Sequence, residues 1–400
     1  MRLSQAQRLL LIVGLFWYAQ YVYMPNTAPY LLAQKVSADF VGIVVGAYGF
    51  TQMAARFGIG LISDILGRYK IIIVAGCIFA AVSSVVRIVI PTGPGFLTAN
   101  LMSGLASSTW LCFMLLYTSS VAKANLLQAL GYVFAANNLG IMLSFISSAV
   151  LYQYFGMTLL CALSVVAGTL ASILALGLSD IKREPSPEPT TEPAKSSLTS
   201  LLSVIFSGRL WFFAFLATIQ QGITMGTVMS FSQEVARQMG GSAVQMGLMT
   251  IVFIAFCVIS SYLVAKPLIA RINPGVLMGV TLVILAFYCW ASPHVTSVYE
   301  LIALQALMGS SLGFVLTVSN SEALKGVDPK KKSTALGLYQ AIFAAGMTFV
   351  PMIAGFIIEH SDGQFDGAFN FQAGLCLLGA LLVSIYYLRA RTKAYGAHHD

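Results

Sequence analysis

Residues 179–200 read SDIKREPSPEPTTEPAKSSLTS, the one long polar stretch in a chain that is otherwise apolar. Pro, Glu, Ser and Thr crowd it and large apolar residues are scarce, so it cannot build a core and reads as a flexible linker. On either side lie hydrophobic stretches of about 20 residues, the length an α-helix needs to cross the hydrocarbon core of a bilayer. Before the linker they fall at 8–33, 40–62, 71–91, 95–121, 127–153 and 157–178, and after it at 209–234, 243–265, 273–291, 298–322, 332–358 and 367–388. The expected fold is an all-α integral membrane protein of twelve transmembrane helices in two six-helix bundles. The bundles take residues 1–178 and 209–400, joined by a cytoplasmic linker over 179–208.

Composition points the same way. Of 400 residues, 58% are hydrophobic and only 9% charged, against roughly 25% charged in a soluble domain. The opening MRLSQAQRLLLIVGLFWYAQYVYMP has the basic start and apolar run of a signal peptide. Its run is long and lacks a small-residue cleavage site, so a retained first helix is expected. The net charge of +8 does not indicate nucleic acid, because the basic residues are scattered among short loops between apolar stretches. With the N-terminus in the cytoplasm, 18 of the 22 Lys and Arg fall on the cytoplasmic side; Lys35 and Arg237 lie outside, and Arg56 and Arg87 lie within spans. The positive-inside rule therefore places both termini in the cytoplasm.

The two halves resemble one another. Ala129, Leu130, Gly131 and Gly140 reappear as Ala335, Leu336, Gly337 and Gly346 at an offset of 206, while Gly42, Gly104 and Ser108 answer to Gly247, Gly309 and Gly313 at 205. A duplicated six-span unit gives two bundles that can rock about a midplane cavity, the geometry that alternating access requires.

The loop after the second span reads GLISDILGRYK, Gly60 to Lys70. With the six-plus-six plan it resembles the major facilitator superfamily, whose equivalent loop carries a glycine, an aspartate four residues on, a glycine three further, and then basic residues. The resemblance implies a conformational latch formed by Gly60, Asp64, Gly67, Arg68 and Lys70, with Asp64 facing the N-terminal dipole of the eleventh span near Ser333 and holding the outward-open arrangement. Ile65 stands where a basic residue is common, and the matching second-half loop AKPLIARINPG keeps Arg271 but has no acid. Drug-exporting members often place an arginine a few residues before the fourth-span glycine and a glycine-proline pair in the fifth span. Here Asn100 precedes Gly104, and NNLGIMLSF contains no proline.

Polar residues inside spans are costly and face a cavity or a neighbouring helix. The candidate substrate-binding set is Gln20, Tyr21, Tyr23 and Asn26 in the first span, Trp110 and Tyr117 in the fourth, Asn137 and Asn138 in the fifth, Gln220 and Gln221 in the seventh, Asn320 in the tenth and Gln340 in the eleventh. The alternative is that these amides join helices by interhelical hydrogen bonds, worth only about 0.6 kcal/mol each. Arg56 lies one turn before the Asp64 loop and is expected to join the latch or snorkel inward. Arg87, close to the outer end of the third span, is expected to snorkel outward. No Asp or Glu stands at the centre of a span: Glu234 and Glu300 lie near the outer face and Glu322 near the inner one.

These features describe a secondary active transporter of a small organic solute, read as an exporter of a drug or of a zwitterionic metallophore or metabolite. The alternatives are a proton-linked nutrient importer and an uncoupled receptor or lipid flippase. An enzyme is not expected. His294, His360, His398 and His399 sit in loops and the tail, and no nucleophile, base and acid grouping occurs in the bundle. The six cysteines are dispersed among apolar stretches without metal-ligand spacing, so no metal or other cofactor is expected. No GxxxxGKS or GxxxxGKT segment cradles a phosphate, which leaves an ion or solute gradient as the energy source. The expected partners are the solute, bilayer lipid and a proton as candidate coupling ion, acting on a monomer. Short external loops and the lack of an Asn-x-Ser/Thr acceptor fit a bacterial plasma membrane.

Overall fold

A computed structural model describes residues 4–66, 68–119, 126–180, 203–264, 266, 269, 271–328 and 331–396. Among these residues every regular element is helical, and ten helices are long and apolar enough to cross a membrane. The ten accommodate the twelve expected spans once two local events are taken into account. The first span is two pieces, Gln5–Tyr21 and Met24–Ala33, each too short to count alone. Pro25 and Pro29 have no N–H to offer Tyr21 and Pro25, so the helical ladder fails there. The fifth and sixth spans form one run, Leu126–Leu176, turned at Gly156, whose φ of 66° and ψ of −164° are non-helical; a side chain there would be strained.

The second and third spans are Ala38–Leu66 and Tyr69–Val89, and the fourth is Gly93–Ser108 continued by Trp110–Ser119. The seventh span starts as Gly208–Gly226, passes through a π-helical segment, Thr227–Phe231, and ends as Ser232–Gln238. The opening spans of both halves are therefore interrupted midway, and π-segments of this kind recur at functional sites. The remaining spans are Ala243–Val264, Pro274–Ala291, Val298–Leu324, Lys332–Glu359 and Asp366–Gly396.

The core of each half is apolar, and large apolar side chains also point outward, among them Ile71, Val89, Ile173, Val276 and Leu388, as lipid-facing surfaces require. The repeat is visible in the packing. In the first half Gly104 lies against Tyr48 of the second span, and in the second half Gly309 and Gly313 lie against Phe253 and Cys257 of the eighth. Small residues let these backbones meet. Both bundles present one end with the termini, where Gln5 Nε2 donates to the Ser179 carbonyl at 2.9 Å. The linker expected at 179–208 falls largely outside the described residues.

Candidate functional site

The two halves meet along the second and eleventh spans. At the end away from the termini, a Cβ at Gly42 or Gly46 would strike the carbonyl oxygens of Pro351 and Thr348, and one at Gly49 would stand 2.7 Å from the Met347 backbone. Gly355 packs in the same way on Ala38, and Gly247 of the eighth span on Ala149 of the fifth. At this far end the Glu359 carboxylate, which ends the eleventh span, accepts the Ala38 N–H at 2.7 Å. A carboxylate of one half thus sits on the positive N-terminus of a helix in the other. Toward the terminal end the seam loosens: Gly58 and Gly337 have no neighbouring atom within 4 Å of where a Cβ would stand. Among the described residues, the tight contacts between the halves gather at the far end.

Where the tight seam gives way lies Arg56, buried despite its charge. It donates through Nη1 to Gln340 Oε1 across the seam at 3.3 Å and through Nη2 to Gln52, and its guanidinium carbon stands 5.2 Å from the Phe343 ring centroid. Nearby, the Tyr48 hydroxyl is bonded to Ser107 at 2.7 Å. Arg56 thus joins the halves through Gln340.

An aromatic wall occupies the first half. Trp17 meets Trp110 edge-on with centroids 5.3 Å apart and Tyr21 at 5.6 Å, and Tyr21 leans on Phe145 at 5.9 Å. The Trp17 indole N–H and the Gln20 side-chain oxygen are buried without partners, while Gln20 Nε2 reaches the Ser103 carbonyl at 3.4 Å. The half-buried Asn137 donates to Asn138 at 3.4 Å, and its own oxygen is unpartnered. Asn26 is committed to a neighbouring helix, donating to Ser148 at 2.7 Å. Tyr117 is buried at the terminal side of the fourth span.

Arg87 differs most from the sequence expectation. It does not snorkel outward: it is 1% exposed and turned into the first half. Nη1 donates to Ser83 at 3.2 Å and Ser84 at 3.3 Å, and Nη2 donates to Asn100 at 2.7 Å and Ser103 at 3.0 Å. The Tyr23 ring lies over the guanidinium with its centroid 3.8 Å from Cζ, and the Tyr23 hydroxyl bonds Ser103 at 3.0 Å. Polar neighbours at hand on the third and fourth spans hold the cation inside, where a charge in lipid-depth protein is otherwise expensive. The signal for this was present: Ser83 and Ser84 lie four and three residues before Arg87 on one helical face, and Asn100 and Ser103 repeat the spacing on the next helix.

The second half carries no such cation among the described residues. Its counterpart is neutral: Gln305 pairs with the Tyr288 hydroxyl at 3.3 Å, and that hydroxyl meets Ser232 at 3.1 Å. Gln220 is fully buried with neither side-chain amide atom partnered, and the Asn320 oxygen is also unpartnered. Gln221 is half-buried. No described hydrogen bond joins Gln220, Gln221 or Asn320 to the first-half cluster. Of the carboxylates near span ends, Glu234 is buried against Arg237 at 2.7 Å, and Glu322 pairs with Arg209 and accepts from Tyr387 at 3.3 Å. Of the latch, Arg68 is exposed and Lys70 is half-buried, its backbone N–H bonded to Asp180 at 2.8 Å. Gly67 lies outside the described residues, as do the surroundings of Gly60 and the side chain of Asp64.

Between the interrupted opening spans of the halves is a cavity of about 10 Å³, enough for one water, lined by Tyr23, Met24, Thr27, Val45 and Asn100 from the first half and Met225 and Met229 from the second. A two-half bundle of this kind, closed at one end over a midplane void, defines a class. The profile of the Major Facilitator Superfamily matches residues 9–234 and 215–398, and the chain belongs to that superfamily. It is similar to the proton-coupled antiporter flippase LtaA of Staphylococcus haemolyticus, at 22% identity over 96% of this chain and 95% of that one. An uncharacterized MFS-type transporter from Methanocaldococcus jannaschii is 21% identical over 84% of this chain and 87% of its own. Among solved structures, the nucleoside transporter NupG, as its D323A mutant, superposes with a TM-score of 0.75 at 13% identity, over 96% and 99% of the two chains. The POT family transporter PepTSo gives 0.74 at 12%, over 97% and 98%. At these identities the structural likeness shows the fold.

Proposed function

We propose that the chain is a secondary active exporter of a small organic solute, working by alternating access in a plasma membrane with both termini in the cytoplasm. The observation that carries this reading is the one-sided closure. Glycine faces weld the halves at the far end, while Gly58 and Gly337 on the same two helices stand free toward the termini. Under the positive-inside orientation this is the state open to the cytoplasm, in which an exporter loads and an importer releases. The aromatic wall of Trp17, Tyr21 and Trp110, the unpartnered side-chain oxygens of Gln20 and Asn137, and the unpartnered amide of Gln220 are the groups offered to the solute. The Asp64 loop is the latch of the opposite state, and Glu359 holds this one.

A second reading is favoured by one comparison. The staphylococcal relative, similar over nearly its whole length, is a proton-coupled antiporter flippase, and a largely apolar, methionine-lined cavity with a few polar groups on one side suits an amphiphile. Flux into proteoliposomes, with drugs, metallophore-like zwitterions, sugars and lipids offered with and without an imposed pH gradient, separates the readings. Gradient-driven movement of a soluble solute supports the exporter, lipid turnover supports the flippase, and binding without movement of either kind overturns both.

A further inference from the structure

We propose that Arg87 is the recognition point for an anionic group, carboxylate or phosphate, on the transported solute, reached from the seam when Tyr23 turns aside. The proposal rests on the transporter reading and names the substrate chemistry of the same cavity. Its basis is an imbalance. The guanidinium is 1% exposed, and each of its described partners, Ser83, Ser84, Asn100 and Ser103, is neutral. No Asp or Glu among the described residues pairs with it, and its Nε is buried without a partner. Helix-to-helix bonding requires no charge here, since Ser84 and Ser164 already bond at 2.7 Å and Ser83 and Ser103 at 3.0 Å. A buried cation with one donor to spare and no counter-charge is completed by an anion.

The route to it is short. Tyr23 covers the guanidinium face on one side and lines the seam cavity on the other, and Asn100, bonded to Nη2, lines the same cavity. Met225 and Met229 on the second half's side, with Met24 and Val45 on the first half's, offer flexible apolar contact and no charge. The equivalent polar cluster of the second half, Tyr288, Gln305 and Ser232, is neutral. The cavity is thus largely apolar, with its polar groups, Tyr23, Thr27 and Asn100, all supplied by the first half, which reads the anion. The solute class is an organic anion with an apolar portion.

The test uses the full chain in lipid nanodiscs, titrated with octanoate, octyl phosphate and, as the neutral match, octanamide. Binding is read by tryptophan fluorescence with empty nanodiscs as the partition blank. One of the two anions binds at least about tenfold tighter than octanamide, as expected when a hydrogen bond to a charged group is gained; which of the two does so identifies the headgroup. Arg87→Gln brings that anion to parity with octanamide, and Arg87→Lys keeps the preference. Equal binding of all three probes by the unsubstituted chain overturns the proposal, as does a preference that survives Arg87→Gln or that falls with Arg56→Gln alone. If Arg87→Gln fails to fold, as judged by thermal unfolding in the same nanodiscs, the unsubstituted chain and Arg87→Lys decide by the same criterion. Solute flux without any anion preference overturns this assignment and leaves the transporter reading standing, whereas anion preference without flux does the reverse.

Discussion

The tight far-end seam makes a quantitative demand on Gly46. A Cβ there would meet the Thr348 carbonyl oxygen and come within 2.9 Å of the Met352 side chain, so Gly46→Val cannot be accommodated unless the second and eleventh spans part. Overpacking of this kind costs about 1–3 kcal/mol, and the cost falls only on the state in which the two helices touch. At 1.4 kcal/mol per factor of ten the equilibrium moves toward far-end opening by roughly 5- to 150-fold. A chain that is closed at about 99 to 1 would, with a 30-fold shift, be open in roughly a quarter of molecules. Spin labels at Thr92 and Gln364, both exposed at the far end, report this as a growing long-distance population in a cysteine-free background. Gly58→Ala, at a position with no neighbour within 4 Å, is the control and leaves the distribution unchanged. Identical distance distributions for Gly46→Val and the unsubstituted chain, both folded, would refute the assignment of this seam as the closed gate.

Glu359→Gln keeps an acceptor near Ala38 but removes the charge from the helix N-terminus, a loss of about 0.3–1 kcal/mol. The same labels should show a shift of about two- to fivefold toward far-end opening, diminishing in high salt. Asp64→Asn is expected to slow flux while leaving equilibrium binding intact, since the proposed latch sets conformation rather than affinity; unchanged turnover removes Asp64 from that role. Gln20→Ala or Asn137→Ala should weaken solute binding by about 1–3 kcal/mol with no loss of thermal stability, and unaltered affinity in both returns these amides to helix joining. Arg209→Met strips Glu322 of its main partner and should lower the unfolding temperature. Because Arg209 is about a third exposed, the expected cost is only about 1–2 kcal/mol, well below that of a fully buried pair.

The all-helical membrane fold and the family were legible because bilayer thickness imposes a length and a hydropathy on every crossing, independent of what each helix touches. The breaks were not. A hydropathy window passes over Val22 and Tyr23 because both are apolar enough, although Pro25 and Pro29 carried the warning. At Gly156 the fifth and sixth spans run on with a single non-helical residue, which no window resolves. Arg87 was misplaced for a related reason. Distance from the span end says whether an arginine can snorkel, but the rotation of the helix decides, and only the packed third and fourth spans fix that rotation. Arg56 lies toward the terminal end of the second span, and its bond to Gln340 crosses between halves 284 residues apart in sequence, a contact no local pattern contains. The far-end contact of Glu359 escaped for the same reason, since Ala38 is 321 residues away.

The interruption of the first span also sets where the molecule can flex. Its longer piece, Gln5–Tyr21, is seated on the fifth and sixth spans of its own half, whereas the shorter piece, Met24–Ala33, lies against Thr227–Phe231 and Ser232–Gln238 of the other. One helix is therefore shared between two bodies, with Val22 and Tyr23 as its elbow. If the bodies swing apart at the far end, torque is delivered to that elbow, and the ring resting on Arg87 belongs to it. Gate and proposed recognition point then share one mechanical part, because the elbow that takes up the swing carries the ring that covers the cation.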